Sequence, residues 1–185
     1  MKRLAVAVSG KSTLLEAMIA DRLKISLVLA DRQCRGLQLA ENAGISSKLI
    51  RRTSFGADFN REAYTREVGV ALDDYEIDFM AMAGFMTVLH PIIFTQKKGR
   101  ILNSHPSLLP AFKGEVAVAE ALKFGVKVTG TTIHIATEEL DEGPILAQEP
   151  VRVLPGDTVD TLWERIKVVE RKLYPVTIRE FAETI

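Results

Sequence analysis

The sequence predicts an α/β fold, a single Rossmann-like domain whose mostly parallel central sheet is flanked by helices. Three observations lead there. Leu4 to Val8 is a continuous apolar run, as expected of a strand buried on both faces, and the largely apolar segments Ile25 to Ala30 and Ile77 to Ala83 read as further strands. Segments with helix-like apolar spacing alternate with them, the order that builds a parallel sheet. At 185 residues the chain suits one domain and can bury a good core.

Each element has its own justification. Met1-Lys2-Arg3 before the first apolar run imitates a signal peptide, but Ser9-Gly10-Lys11 cuts that run short, so Leu4 to Val8 reads as a strand. Ser12-Thr13 opens a helix to about Ala20, with Leu14, Leu15, Met18 and Ile19 on its apolar side. After the strand Ile25 to Ala30, Arg32 to Ala43 is a helix closed by Gly44, a residue suited to a left-handed cap. Lys48 to Ile50 is a short strand, Asn60 to Tyr75 a helix despite Gly69, and Ile77 to Ala83 another strand. Arg100-Ile101-Leu102 is a short buried strand that delivers Asn103 and His105 into a turn, where Pro106 and Pro110 forbid regular structure. Thr131 to Ala136 is a strand, and Glu138 to Gly143 an acidic loop carrying Asp141. Pro155-Gly156-Asp157-Thr158 makes a turn and a helix N-cap. Leu162, Ile166, Val169 and Leu173 then recur at helical spacing, and with Trp163 they belong in or near the core. No repeat, low-complexity tract or linker interrupts the chain.

Bulk properties exclude several classes of function. Lys plus Arg and Asp plus Glu both number 24, which gives no electrostatic case for nucleic acid. Cys34 is the one cysteine, so no internal disulfide forms, as suits a reducing cytoplasm. No apolar run reaches the ~18–20 residues of a membrane span. The expected partners are small-molecule substrates, with no nucleic acid and no membrane, for a monomer or homodimer.

Two places carry chemistry. Asn103 and His105, at i and i+2 of an extended segment, point to one side and can face one substrate together. Singly, each residue type also suits a turn or a hydrogen-bonded core position. Gly10-Lys11-Ser12-Thr13 matches the end of a nucleotide-binding P-loop, but the glycine required at its start falls at Ala5, inside the strand. What remains is a helix N-terminus whose backbone donors and dipole suit one phosphate.

The stretches Asn103 to Gly114 (N-S-H-P-S-L-L-P-A-F-K-G), Gly130 with Leu140 to Ile145, and Ala83 to Met86 resemble a known family over nearly the whole chain. It is the formyltransferase family that uses 10-formyltetrahydrofolate, and within it the folate-dependent glycinamide ribonucleotide transformylases. The resemblance implies a formyltransferase fold and transfer of that formyl group to the amine of glycinamide ribonucleotide in de novo purine biosynthesis. The folate is then a co-substrate and no metal is needed; one His beside one Asp is in any case a poor zinc set. It further implies a phosphate-binding half at about 1–100 and a catalytic and folate-binding half at about 101–185.

Residue by residue, the resemblance makes Asn103, His105 and Asp141 catalytic. Formyl transfer to an amine passes through a tetrahedral oxyanion, to which the Asn103 side chain can donate, a contribution of about 3–4 kcal/mol. An imidazole is the side chain suited to exchanging protons near neutrality, the role this gives His105. With Asp141 in reach, an imidazolium could stabilise the oxyanion and act as general acid. Ser12, Thr13, Leu14 and Glu170 are assigned to the ribonucleotide; Arg61, Met86, Thr87, Val88, Leu89 and Asn103 to the folate, whose pterin ring the backbone of 86–89 recognises. His134 projects beside the site or into the sheet, and His90 is a turn residue before Pro91.

Departures from the family pattern gather on the nucleotide side. The usual phosphate loop is richer in glycine and ends in asparagine, whereas this chain has Ser12, Thr13 and Leu14, and Val116 stands where relatives often carry histidine. Thr87 replaces a common arginine. Another amine acceptor, such as a sugar nucleotide, is one alternative reading, and a folate-binding regulatory protein without turnover is another. Relatives with an added domain, the methionyl-tRNA formyltransferases and formyltetrahydrofolate deformylases, need more chain than 185 residues. Against the family, the end at Ile185 suggests a trimmed tail.

Overall fold

The computed structural model describes residues 2–185, so Met1, the first residue of the signal-like start, lies outside them. The fold is α/β, with a seven-stranded sheet in the order β3-β2-β1-β4-β5-β6-β7 and helices between the strands. Two compact units divide the chain after Leu102.

In the unit up to Leu102, β1 (Leu4–Val8) pairs in parallel with both β2 (Ile25–Ala30) and β4 (Phe79–Met82), and β2 pairs in parallel with β3 (Ser47–Leu49). All five β1 residues are buried, as their uninterrupted apolar run requires. Helix α1 (Thr13–Ala20) buries Leu14, Leu15 and Met18, and α3 (Arg61–Asp74) buries Tyr64, Val68, Ala71 and Leu72. Each buried Leu, Val or Met among them contributes about 1.5–3 kcal/mol. The Asn60 side chain caps α3 by accepting from the Ala63 N–H at 2.9 Å. Gly69, inside α3, faces Ile93 and Gln96 of α4 (Ile92–Gln96), which a Cβ there would meet at an ordinary contact distance of 3.5 Å. That short helix gives too little periodicity to read from sequence.

Helix α2 (Arg35–Asn42) begins three residues later than its pattern predicts. Arg32 turns back to bond the Asp31 carboxylate at 2.9 Å, and Cys34 stays extended (φ −154°), so the helix cannot start before Arg35. Asn42 is its last residue, and Gly44 follows at φ +66°.

The unit from Asn103 onward holds the antiparallel pair β6 (Val128–Ile135) and β7 (Ile145–Arg152), with α5 (Ala117–Phe124) and α6 (Val159–Thr184). Val118, Val151, Leu162 and Ile166 form its buried centre, with Trp163 and Val169 packed against them. Neither α5 nor β7 is evident in the sequence; β7 is largely exposed and contains Pro150, which suits an edge strand. Helix α6 starts on Thr158 through a capping box with Thr161, as expected, but continues past Pro175. Buried Tyr174, Thr177, Ile178 and Phe181 on its inner face offset the hydrogen bond that Pro175 cannot donate. Strand β5 (Ile101–His105) runs further than its apolar residues suggest and carries Asn103 and His105 as strand residues. Among the described residues no helix is long and apolar enough to cross a membrane.

Candidate active site

The end of β5 and the residues after it are fixed by buried hydroxyls rather than by sheet pairing. Two prolines deny residues 106–110 a ladder, so side chains take their polar groups instead. Thr132 Oγ1 donates to the Ser107 carbonyl at 2.7 Å and accepts from Leu109 N–H at 3.0 Å. Gln148 Nε2 donates to the Leu109 carbonyl at 2.9 Å, and Thr131 Oγ1 to the His105 carbonyl at 3.3 Å. His105 therefore leaves the strand in one defined direction, 5% exposed.

Its ring is held from both sides. Nε2 lies 2.7 Å from the Phe112 carbonyl and must donate to it, while Nδ1 lies 3.3 Å from Asp141 Oδ2. The same carboxylate oxygen accepts the Gly114 N–H at 2.9 Å. Asp141 is buried, at φ +56°, and the chain behind it passes so close to β6 that a Cβ on Gly143 would stand 1.7 Å from the Ile135 carbonyl oxygen. Only glycine fits there, which explains the acidic loop's closing residue.

Asn103 joins the cluster through His134, whose Nε2 is 3.3 Å from Asn103 Nδ2 and 3.7 Å from Asp141 Oδ1. His134 Nδ1 reaches the Ile135 carbonyl at 3.2 Å. With Nδ1–H donating there, the Nε2 lone pair accepts one Asn103 N–H and fixes which way the amide faces. Burial pushes the His134 pKa down, against the opposing pull of the Ile135 carbonyl and Asp141, with His105 adding to the depression. The chemistry legible here is an amide donor with one N–H in use, a carboxylate–imidazole pair, and a neutral histidine that orients the amide. On α6, half-buried Glu170 has its pKa pushed up by desolvation, against a hydrogen bond from Ser104.

The unit up to Leu102 presents its candidates differently. Ser12 takes a left-handed conformation (φ +55°, ψ +31°), and its hydroxyl donates to the Gly10 carbonyl at 2.9 Å, not outward. Leu14 is 5% exposed and packs inward, while Thr13 begins α1 and is half-buried. Arg61 is exposed at the start of α3. In the segment after β4 the side chains alternate: Met86 and Val88 are exposed, Thr87 and Leu89 buried. His90 accepts the Ile92 N–H through Nδ1 at 3.3 Å, the turn role expected of it. Among the described residues no group of three His, Cys, Asp or Glu side chains is arranged to hold a metal ion.

Sequence reading passed over Asp31, which is fully buried at the end of β2, and the Phe112 carbonyl and Gly114 N–H, which frame His105 and Asp141. Asp31 carried a usable signal. It directly follows an apolar run, just as Asn103 does.

An amide, an imidazole and a carboxylate gathered at a strand end of an open α/β sheet define the candidate active site of an α/β protein. The chain matches the model of the formyl transferase family over residues 2–178, and it belongs to that family. It is 40% identical to the phosphoribosylglycinamide formyltransferase of Mycobacterium tuberculosis, over 97% of this chain and 85% of that one. It is 38% identical to the human trifunctional purine biosynthetic protein adenosine-3, over 96% of this chain and 18% of that one. A crystal structure of glycinamide ribonucleotide transformylase 1 from Symbiobacterium toebii superposes with a TM-score of 0.91 at 39% identity, covering 100% of this chain and 89% of that one.

Proposed function

We propose that this protein transfers the formyl group of 10-formyltetrahydrofolate to the amine of glycinamide ribonucleotide, a step of purine biosynthesis. The observation that carries the reading is the cluster of Asn103 with buried His105 and Asp141 in a member of the formyl transferase family. The names of its relatives point to the same transferred group and the same acceptor. The folate serves as co-substrate without a metal. The protein works in the cytoplasm on small molecules, apart from nucleic acid and membranes, as a monomer or homodimer.

In this reading the amine nitrogen attacks the formyl carbon and the carbonyl oxygen becomes an oxyanion. Asn103 donates its second N–H to that oxygen, the first being given to His134. The folate nitrogen then leaves with a proton, and the new amide nitrogen loses one. His105 handles these protons with Asp141 behind it. Because the Phe112 carbonyl occupies Nε2, the ring exchanges that one hydrogen bond for the reacting groups before it acts.

Ligand roles follow the same division. The backbone at Ser12, Thr13 and Leu14 receives the ribonucleotide phosphate, and Glu170 its glycinamide end. The backbone of Met86, Thr87, Val88 and Leu89 receives the pterin, with Arg61 and Asn103 as further folate contacts. Inward-turned Thr87 and Leu14 support recognition by backbone rather than by side chain. The single-domain reading thus keeps a phosphate-binding half at about 1–100, which also carries Arg61 and the pterin segment Met86 to Leu89, and a catalytic and folate-binding half at about 101–185.

Formyl transfer from 10-formyltetrahydrofolate, followed by the absorbance of the deformylated folate, tests this directly. Product that depends on glycinamide ribonucleotide supports it. Folate consumed without the ribonucleotide makes the protein a hydrolase, and folate bound without turnover makes it a sensor or an enzyme for another amine.

A further inference from the structure

Among the described residues, Asp31 is the one fully buried carboxylate that the proposed chemistry leaves without a role. It stands at the C-terminal end of β2, beside the point where strand order reverses. The chain runs β1, β2, β3 to one side and then places β4 on the other side of β1. In open α/β sheets the crevice at that reversal is where ligands bind.

The segment that follows β4 has no sheet or helix to hold it. Its described anchors are few. The Gly84 carbonyl accepts the Ser9 N–H at 3.2 Å, the Met86 N–H donates to Ser9 Oγ at 2.8 Å, and the His90 N–H donates to Thr65 Oγ1 at 2.9 Å. Thr87, 3% exposed, donates its hydroxyl to Asp31 Oδ2 at 2.7 Å. Ser9, 4% exposed, bonds the same carboxylate, and the hydroxyl of buried Tyr64 bonds Thr87. Arg32 closes the set, with Nε at 2.9 Å from Oδ1 and Nη2 at 3.0 Å from Oδ2. A carboxylate has about four acceptor positions. Here four donors fill them, from Ser9, Thr87 and two nitrogens of Arg32.

We propose that Asp31 is the positioning residue of the Met86–Leu89 segment, anchoring it through Thr87 and Ser9 and thereby setting folate affinity. The inference rests on the reading of that segment as the pterin subsite. An asparagine in its place has one carbonyl oxygen and two N–H groups, so it cannot accept from all four donors and must turn a donor towards Thr87 or Arg32. The burial that would push the Asp31 pKa up is outweighed by the bonds from Arg32, Thr87 and Ser9, so the group stays an anion. Thr87 also acquires a definite task. Its hydroxyl faces the carboxylate and not the ligand, so a nearly isosteric valine removes the anchor, together with the partner of the Tyr64 hydroxyl.

The test compares Thr87→Val, Asp31→Asn and Thr87→Ser in the full chain. Tetrahydrofolate dissociation constants, the KM for glycinamide ribonucleotide and the hydrogen-exchange rate of the Met86 amide are measured for each. Loss of the anchor should weaken tetrahydrofolate about tenfold in Thr87→Val and at least as much in Asp31→Asn, with ribonucleotide KM within about twofold. The Met86 amide should exchange about tenfold faster, and Thr87→Ser should restore both values. A merely structural role would move both substrates and the melting temperature together. Tetrahydrofolate affinity and Met86 exchange both unchanged in Thr87→Val would overturn the proposal, and that variant decides the matter should Asp31→Asn fail to fold. If the native chain does not bind tetrahydrofolate, the functional reading fails, while Met86 exchange still decides whether Asp31 anchors the segment.

Discussion

The two units of this chain build their candidate sites by different means. From Asn103 onward the site is made of side chains: His105, Asp141, His134 and Asn103 are tied together within 3.7 Å, and the three ionisable ones are buried. Up to Leu102 it is made of backbone, with Leu14, Thr87 and Leu89 turned inward and the Ser12 hydroxyl folded back onto Gly10. A side-chain site fails when one residue type changes. A backbone site tolerates exchange as long as the chain keeps its path, and that is how Ser12, Leu14 and Thr87 can depart from the family pattern without dissolving the fold.

The sharpest way to break this contrast is to remove the proton-handling pair. His105→Ala should lower kcat about a hundred- to ten-thousand-fold with the melting temperature little changed, read by steady-state formyl transfer and calorimetry. Asn103→Ala should follow at about a hundred- to thousand-fold, since it removes one oxyanion donor. Near-normal turnover in either would erase the distinction between the units.

Smaller effects sharpen it. Gly143→Ala puts a Cβ against the Ile135 carbonyl, so it should cost about 1–3 kcal/mol of stability in denaturant titrations and reduce kcat by moving Asp141. In the other unit, Ser12→Gly relieves a left-handed serine and should change stability by only about 1 kcal/mol, altering the acceptor KM more than kcat. The smallest effect is on pH dependence. Folded His134 titrates below its ordinary 6.5 because burial disfavours its charge. As pH falls through 6.5, the unfolded chain therefore takes up a proton that the folded chain does not, and stability drops. His134→Gln should flatten that acid slope.

What could be read from the sequence follows the same line. Apolar runs marked β1, β2 and β4 because burial leaves these strands almost entirely apolar, with Ser26 of β2 the one polar residue among the three. Asn103 and His105 stood out by their i, i+2 spacing after an apolar run, and Asp141 through the family resemblance. The edge strand β7 and short α4 stayed hidden because exposure and brevity blur periodicity. Asp31 and the Phe112 carbonyl escaped for another reason. Their significance lies in contacts across 56 and 7 residues of chain, with Thr87 and with His105, which no local pattern encodes.

The most direct test of the account is the steady-state kinetics of Asp141→Asn with both substrates varied. The account predicts a kcat at least about a hundredfold lower, with the KM for 10-formyltetrahydrofolate and for glycinamide ribonucleotide within a few-fold of the native values. A near-native kcat with either KM strongly raised would contradict it, and would make the buried cluster a binding site rather than the centre of the chemistry.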